Sequence, residues 1–286
     1  MVRSSRRRLK VNDSRYSTQK LRPYFSVKDG ILLALLLRKM SIEIKIRECV
    51  TLDELADCVQ LQRDVFALPE VELSPVRHLI VTKNAGGFSL GAYDGDRLIG
   101  FGLSVPAFLR GERAFYSHMT AVLGEYQSHG IGGKLKWAQR DRALSEGVRY
   151  IKWTFEPIKA RNAYFNLEKL GATISEIQED FYGTDYTTAP NTPIGLASDR
   201  LFAEWDLQSP KVIALARGER YIDQREPMAK VQIMNDWQGI VDLSVENARF
   251  EQLRIRKEFQ TAFASGMVCR GFHRDERQPA YLLYKD

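Results

Sequence analysis

The chain has 286 residues, 44% of them apolar and 27% charged, a composition normal for a soluble globular protein and enough for one large domain or two modest ones. Its three cysteines, Cys49, Cys58 and Cys269, form no C-x-x-C and do not cluster with the four histidines. That excludes a disulfide framework and a zinc site as expectations and fits a reducing, cytoplasmic compartment.

The formal charge of +6 is unevenly placed. Eleven of the 42 bases but two of the 36 acids fall in the first 40 residues, which makes that leader +9 and the remaining 246 residues −3. The leader's apolar run, residues 31–37, is far shorter than the roughly 20 residues a membrane-spanning helix needs, and no small-residue cleavage site follows it. Residues 1–40 are therefore expected to be a basic, disordered leader, with Met40 as an alternative start. A nucleic-acid or membrane arm and a targeting peptide are the other readings. A nucleic-acid arm predicts salt-dependent binding that disappears when residues 1–39 are removed.

From Met40 the elements follow in order. Ile42, Ile44 and Ile46 alternate with Glu43, Lys45 and Arg47, a half-buried strand. The T-L-D-E run at 51–54 is a capping box and predicts a helix with Leu55, Val59 and Phe66 inward. Residues 88–93 and 98–105 read as two strands joined by the hairpin turn Asp94-Gly95-Asp96. Residues 115–122 make a fourth strand, 130–145 a helix with Gly147 as its cap, and 150–155 a fifth strand. Beyond 211, Val231 and Ile233 suggest a strand. Residues 243–263 suggest an amphipathic helix stopped by Gly266, and 267–272 with 280–284 a hairpin.

Between the fourth strand and its helix stands M-T-A-V-L-G-E-Y-Q-S-H-G-I-G-G-K, residues 119–134. The N–H groups of a helix's first turn have no partner inside the helix, and the helix dipole adds about half a positive charge there. Gly130, Gly132 and Gly133 let an anion approach the main chain without a Cβ in the way, and Lys134 adds a cation, so Gln127, Ser128, His129, Gly130, Ile131, Gly132, Gly133 and Lys134 form a candidate phosphate seat. Neither G-x-G-x-x-G nor the Walker pattern is present; the loop reads Q-x-x-G-x-G.

That pattern, after a strand ending Ala121-Val122, resembles the acyl-CoA pyrophosphate loop of the GNAT (Gcn5-related N-acetyltransferase) superfamily. The order β-α-β-β-β-α-β agrees. The segment Asn162-Ala163-Tyr164-Phe165-Asn166-Leu167-Glu168-Lys169-Leu170-Gly171 is similar to the family's N-x-x-A-x-x-x-Y-E-K-L-G-F. It departs from it at Ala160, where Asn is usual, and at Leu167, where a thiolate-protonating Tyr is common. With the D-R-L-F-A-E-W run at 199–205, it resembles a bacterial subgroup of predicted GNAT acetyltransferases over about residues 42–210.

The resemblance implies an α/β (α+β) fold: a mixed, mostly antiparallel twisted sheet flanked by helices. Residues 41–210 would be the acyl-CoA-binding domain and 211–286 a docked α+β extension closing the acceptor side or making a dimer contact. It also implies acetyl-CoA or another acyl-CoA as co-substrate and direct transfer to a small-molecule or peptide amine, the alternative being a catalytically inactive acyl-CoA binder. The main chain of Met119 to Val122 would polarise the thioester carbonyl. Asn162 could replace the missing Asn, and Tyr164 could supply the acid from the turn before Leu167. Glu156, at the carboxyl end of the fifth strand, is the first candidate base, His118 the second, and Glu125 stands at the loop mouth. There is no G-x-S-x-G or H-E-x-x-H, and His78, His118, His129 and His273 lack ligand spacing, so no metal is expected. A homodimer is compatible with the sequence; nucleic acid is not the expected partner.

Overall fold

The computed structural model describes residues 43–186 and 194–285. Met40, Ile42 and the basic leader lie outside the described residues. Ile44 and Ile46 pack inward from strand β1 (Ile44–Glu48), which pairs antiparallel with β2 (Phe88–Asp94). Between them run helices α1 (Leu52–Phe66) and α2 (Val76–Asn84). The expected capping box closes α1, with Leu55 and Val59 inward.

Phe66, expected inward, is instead 37% exposed. The buried stripe of α1 ends at Gln62, whose amide donates to Ser74 O at 3.1 Å and accepts from Ser74 N at 2.8 Å. The chain after the helix is pinned at that point, and the last turn projects past it. No pattern in the sequence had suggested α2, which buries only Leu79 and Thr82.

β2 turns through Gly95, at φ 59°, into β3 (Arg97–Leu109), and β3 turns through Arg110 and Gly111, both at positive φ, into β4 (Glu112–Val122). Two left-handed residues in succession match the twist of a tight hairpin. This explains why both strands run longer than their apolar alternation. Helix α3 (Ile131–Ser145) follows, then β5 (Tyr150–Phe155) and α4 (Ala160–Tyr164), which continues as a π turn over Phe165–Lys169. Then come β6 (Thr173–Gln178) and β7 (Arg200–Asp206).

The remaining elements are α5 (Pro210–Ala216), β8 (Ala229–Gln232), α6 (Trp237–Leu243), α7 (Val245–Ala264), β9 (Met267–His273) and β10 (Ala280–Lys285). The helix predicted over 243–263 is found as α7, which starts two residues later because the Ser244 hydroxyl caps it by accepting from Asn247 N.

Among the described residues, ten strands form one mixed, mostly antiparallel sheet in the order β1-β2-β3-β4-β5-β7-β6-β9-β10-β8, flanked by seven helices, as the resemblance implied. Every pair is antiparallel except β4 with β5. The C-terminal strands join the rest where Ile174 of β6 pairs with Cys269 of β9. One apolar core runs from Phe88 and Leu135 through Trp153 and Trp205 to Phe259 and Tyr281. No described helix is long and apolar enough to cross a membrane.

Candidate functional site

Two features of β4 prepare the site. Opposite β3, Leu103 pairs with Met119 but Ser104 pairs with Ser117, so His118 is the extra residue of a β-bulge. On its other side, β4 pairs with β5 over only three rungs, Ala114 with Tyr150, Phe115 with Ile151 and Tyr116 with Lys152. β4 then continues for six residues to Val122 with no strand partner on that side among the described residues. The bulge and the end of the ladder coincide, and a parallel pair opens into a V.

The predicted loop sits at the mouth of this V. Leu123 N bonds to Ile99 O, a 3₁₀ turn takes Gly124–Tyr126, and Gln127 returns its Nε2 to Val122 O at 3.0 Å, tying the loop to the strand end. His129 Nδ1 donates to Gln127 O at 2.8 Å, Ser128 takes φ 66°, and Arg161 of α4 donates to Ser128 Oγ at 3.3 Å. Glu125 is held by Arg97 at 2.9 Å and faces that arginine.

Gly130, at φ 77°, is the N-cap of α3. It has no side chain to accept the first-turn N–H groups, and no acid stands in that turn. Lys134 N bonds back to Gly130 O, leaving the N–H groups of Ile131, Gly132 and Gly133 directed out of the helix end. A Cβ built on Gly130 or Gly132 would meet nothing within 4 Å, and one on Gly133 only Phe165 at 3.8 Å. Free donors, open approach and a positive dipole end fit the diphosphate of an acyl-CoA.

Behind the loop lies the inner face of α3. Ile131, Leu135, Lys136, Gln139 and Ala143 are buried, while Ala138 is half-buried. Lys136, only 5% exposed, donates from Nζ to Ser117 Oγ at 2.8 Å and lies 3.8 Å from the centroid of the Trp153 ring. Ser117 donates to Gln139 Oε1 at 3.2 Å, and Gln139 Nε2 donates to Ser104 Oγ at 3.0 Å. Burial pushes the Lys136 amine down to about 7. Lys136 is not among the candidate residues the sequence offers; its only local signal is a lysine one position after the apolar Leu135.

The candidate catalytic residues are dispersed around the V. His118 is exposed at the bulge, its ring 6.4 Å from that of His78 on α2; the protein packed around it, then the neighbouring imidazole, lower its pKa. Glu156 follows β5 and stands 3.8 Å from both Lys159 and Arg200. It borders a cavity of about 410 Å³ whose wall includes Ile158, Leu196, Arg200, Trp237 and Val241, so the C-terminal segment supplies part of the lining. Glu156 and His118 share no partner among the described residues.

Tyr164 lies in α4 with Lys169 and Arg274 each 5.4 Å from its ring. Leu167, at the family's tyrosine position, is wholly buried, and Asn162 is exposed. Glu168 of the E-K-L-G run accepts from Phe272 N at 2.8 Å, so this motif residue fastens α4 to β9.

Residues 55–171 match the model of the acetyltransferase (GNAT) family. None of the curated proteins matches the chain. Among solved structures it is similar to a GNAT family acetyltransferase from Elizabethkingia anophelis with acetyl-CoA bound, at 17% identity over 58% of this chain and 100% of that one (TM-score 0.44). It is similar also to the ribosomal-protein-S18-alanine N-acetyltransferase of Escherichia coli, at 15% identity over 58% and 95% (TM-score 0.45). An acetyltransferase of the GNAT family from Streptococcus pneumoniae aligns at 18% identity over 57% and 98% (TM-score 0.45). The matched segment contains the bulged strand, the glycine-edged loop and the helix it opens, and this match supports membership of the GNAT superfamily.

Proposed function

We propose that the chain is an acyltransferase that moves an acetyl or other acyl group from acyl-CoA directly to an amine of a small molecule or peptide. One observation carries this reading: the uncapped, glycine-edged N-terminus of α3 opens at the mouth of the V between β4 and β5. The N–H groups of Ile131, Gly132 and Gly133, with Lys134, would hold the diphosphate; Gln127, Ser128 and His129 would shape the loop, and Asn162 would flank it. Bound there, acyl-CoA supplies an activated thioester. The free main chain of β4 from Met119 to Val122 would offer an N–H to the carbonyl oxygen.

The attacking amine must lose its proton. His118, whose pKa is lowered by desolvation and then by the neighbouring His78, is the candidate base; Glu156 is the alternative where the acceptor enters from the cavity it borders. Tyr164 would return a proton to the departing thiolate. The second reading, an acyl-CoA-binding protein without catalysis, is favoured by one observation, the fully buried Leu167 where the family often has tyrosine.

Calorimetric titration of acetyl-CoA into the full chain, beside Gly132→Glu, tests the site. Saturable binding by the parent that is lost in the variant is expected, and a folded parent that does not bind refutes both readings. Release of CoA thiol in the presence of a panel of primary amines then separates enzyme from binder.

A further inference from the structure

We infer that Lys136 is a positioning residue: it ties β4 to β5 at the first rung their backbones leave open, and so sets the gap that the acyl arm of the co-substrate enters. The inference rests on the acyl-CoA reading above. The last backbone rung is Tyr116 with Lys152, so the next would join Ser117 to Trp153. Lys136 reaches both, Ser117 Oγ at 2.8 Å and the Trp153 ring at 3.8 Å, and replaces the missing rung with a side chain from the helix beneath.

The surroundings suit a neutral amine. Its two N–H groups have two destinations, the serine oxygen and the indole face. The groups facing it are Ser117 from β4, Trp153 from β5 and Gln139 from its own helix; among the described residues no carboxylate pairs with it. A protonated lysine would bring a third N–H with no acceptor and a charge that only the indole face answers, with no carboxylate among the described residues to offset its desolvation. It would turn toward solvent or draw water in, and the strands would lose their spacing. The depressed pKa agrees with this geometry.

Only the neutral fraction is then competent, so apparent affinity follows that fraction. Acetyl-CoA binding by the full chain should be about tenfold weaker at pH 6 than at pH 8. In Lys136→Met, which fills the root without titrating, the change over the same range should shrink to what the ligand's own phosphates contribute. Lys136→Arg, permanently charged, should bind weakly at both pH values. Ser117→Ala, which removes the acceptor without touching the helix, should bind several-fold more weakly at pH 8.

Equal pH ratios in the parent and Lys136→Met would overturn the inference. So would an Arg variant as tight as the parent at pH 8, or unchanged affinity in Ser117→Ala. A parent that binds at no pH would instead bring down the acyl-CoA reading, and this inference with it.

Discussion

Helices α1 and α3 are each fifteen residues long and each follows a strand, but they begin in opposite ways. At α1, Thr51 Oγ1 accepts from Glu54 N, the Glu54 carboxylate accepts from the N–H groups of Val50 and Thr51, and Arg47 completes the cluster. At α3 the cap is a glycine, the first turn holds no acid, and a lysine stands at its end. One helix satisfies its orphan donors with its own side chains, and the other leaves them for an anion to satisfy. The inner faces differ too: the buried Gln62 of α1 is answered by Ser74 main chain on both its atoms, whereas Lys136 of α3 donates to Ser117 Oγ but has no counter-ion among the described residues. Folding alone requires only the first kind of helix.

The comparison can be broken most sharply at Gly132. A glutamate there should reduce acetyl-CoA affinity at least a hundredfold. It should also leave the melting temperature unchanged or slightly higher, because an acid in a first turn stabilises a helix by about 0.3–1 kcal/mol. Loss of binding together with a fall in melting temperature would point to a structural loop.

Next in size is Lys136→Met. The folded amine titrates near 7 against an ordinary 10.5, so between those values the unfolded chain binds more protons and stability rises with pH. The variant should therefore exceed the parent by on the order of 3 kcal/mol at pH 7, with the gap closing toward pH 10, as read by denaturant titration.

Thr51→Ala should cost about 1 kcal/mol and leave acetyl-CoA affinity untouched. The smallest effect is at Glu54, whose carboxyl is held down to about 2 by the N–H groups of Thr51 and Val50 and then by Arg47. Its contribution is present above pH 4.5 and fades as pH falls toward 2, so the parent and Glu54→Gln should converge in melting temperature across that window.

The α1 terminus was fully legible in sequence, because a capping box is a local pattern of four residues. The α3 loop was legible for the same reason, since glycine spacing after a strand is local. The V was not: the three-rung ladder between β4 and β5 joins segments about 35 residues apart, beyond the reach of any local pattern. Lys136 escaped notice because a lysine beside an apolar stripe reads as solvent-facing, and its burial depends on Ser117 and Trp153 from other strands. Phe66 was misplaced because the stripe of α1 ends at a glutamine that binds main chain. Strand β6 passed unread although T-I-S-E-I-Q is apolar at both isoleucines, since a bulge between Ile174 and Glu176 breaks its alternation.

The joint at Ile174 and Cys269 bears on solubility. Without β9, strand β6 would end the sheet with a row of bare N–H and C=O groups, the template on which sheets of separate molecules join. Three further strands move that exposed edge out to β8, four residues long, with Lys230 in it and Pro227 two residues before it. A short, charged edge recruits a neighbouring molecule poorly, so the C-terminal strands also protect the sheet against aggregation.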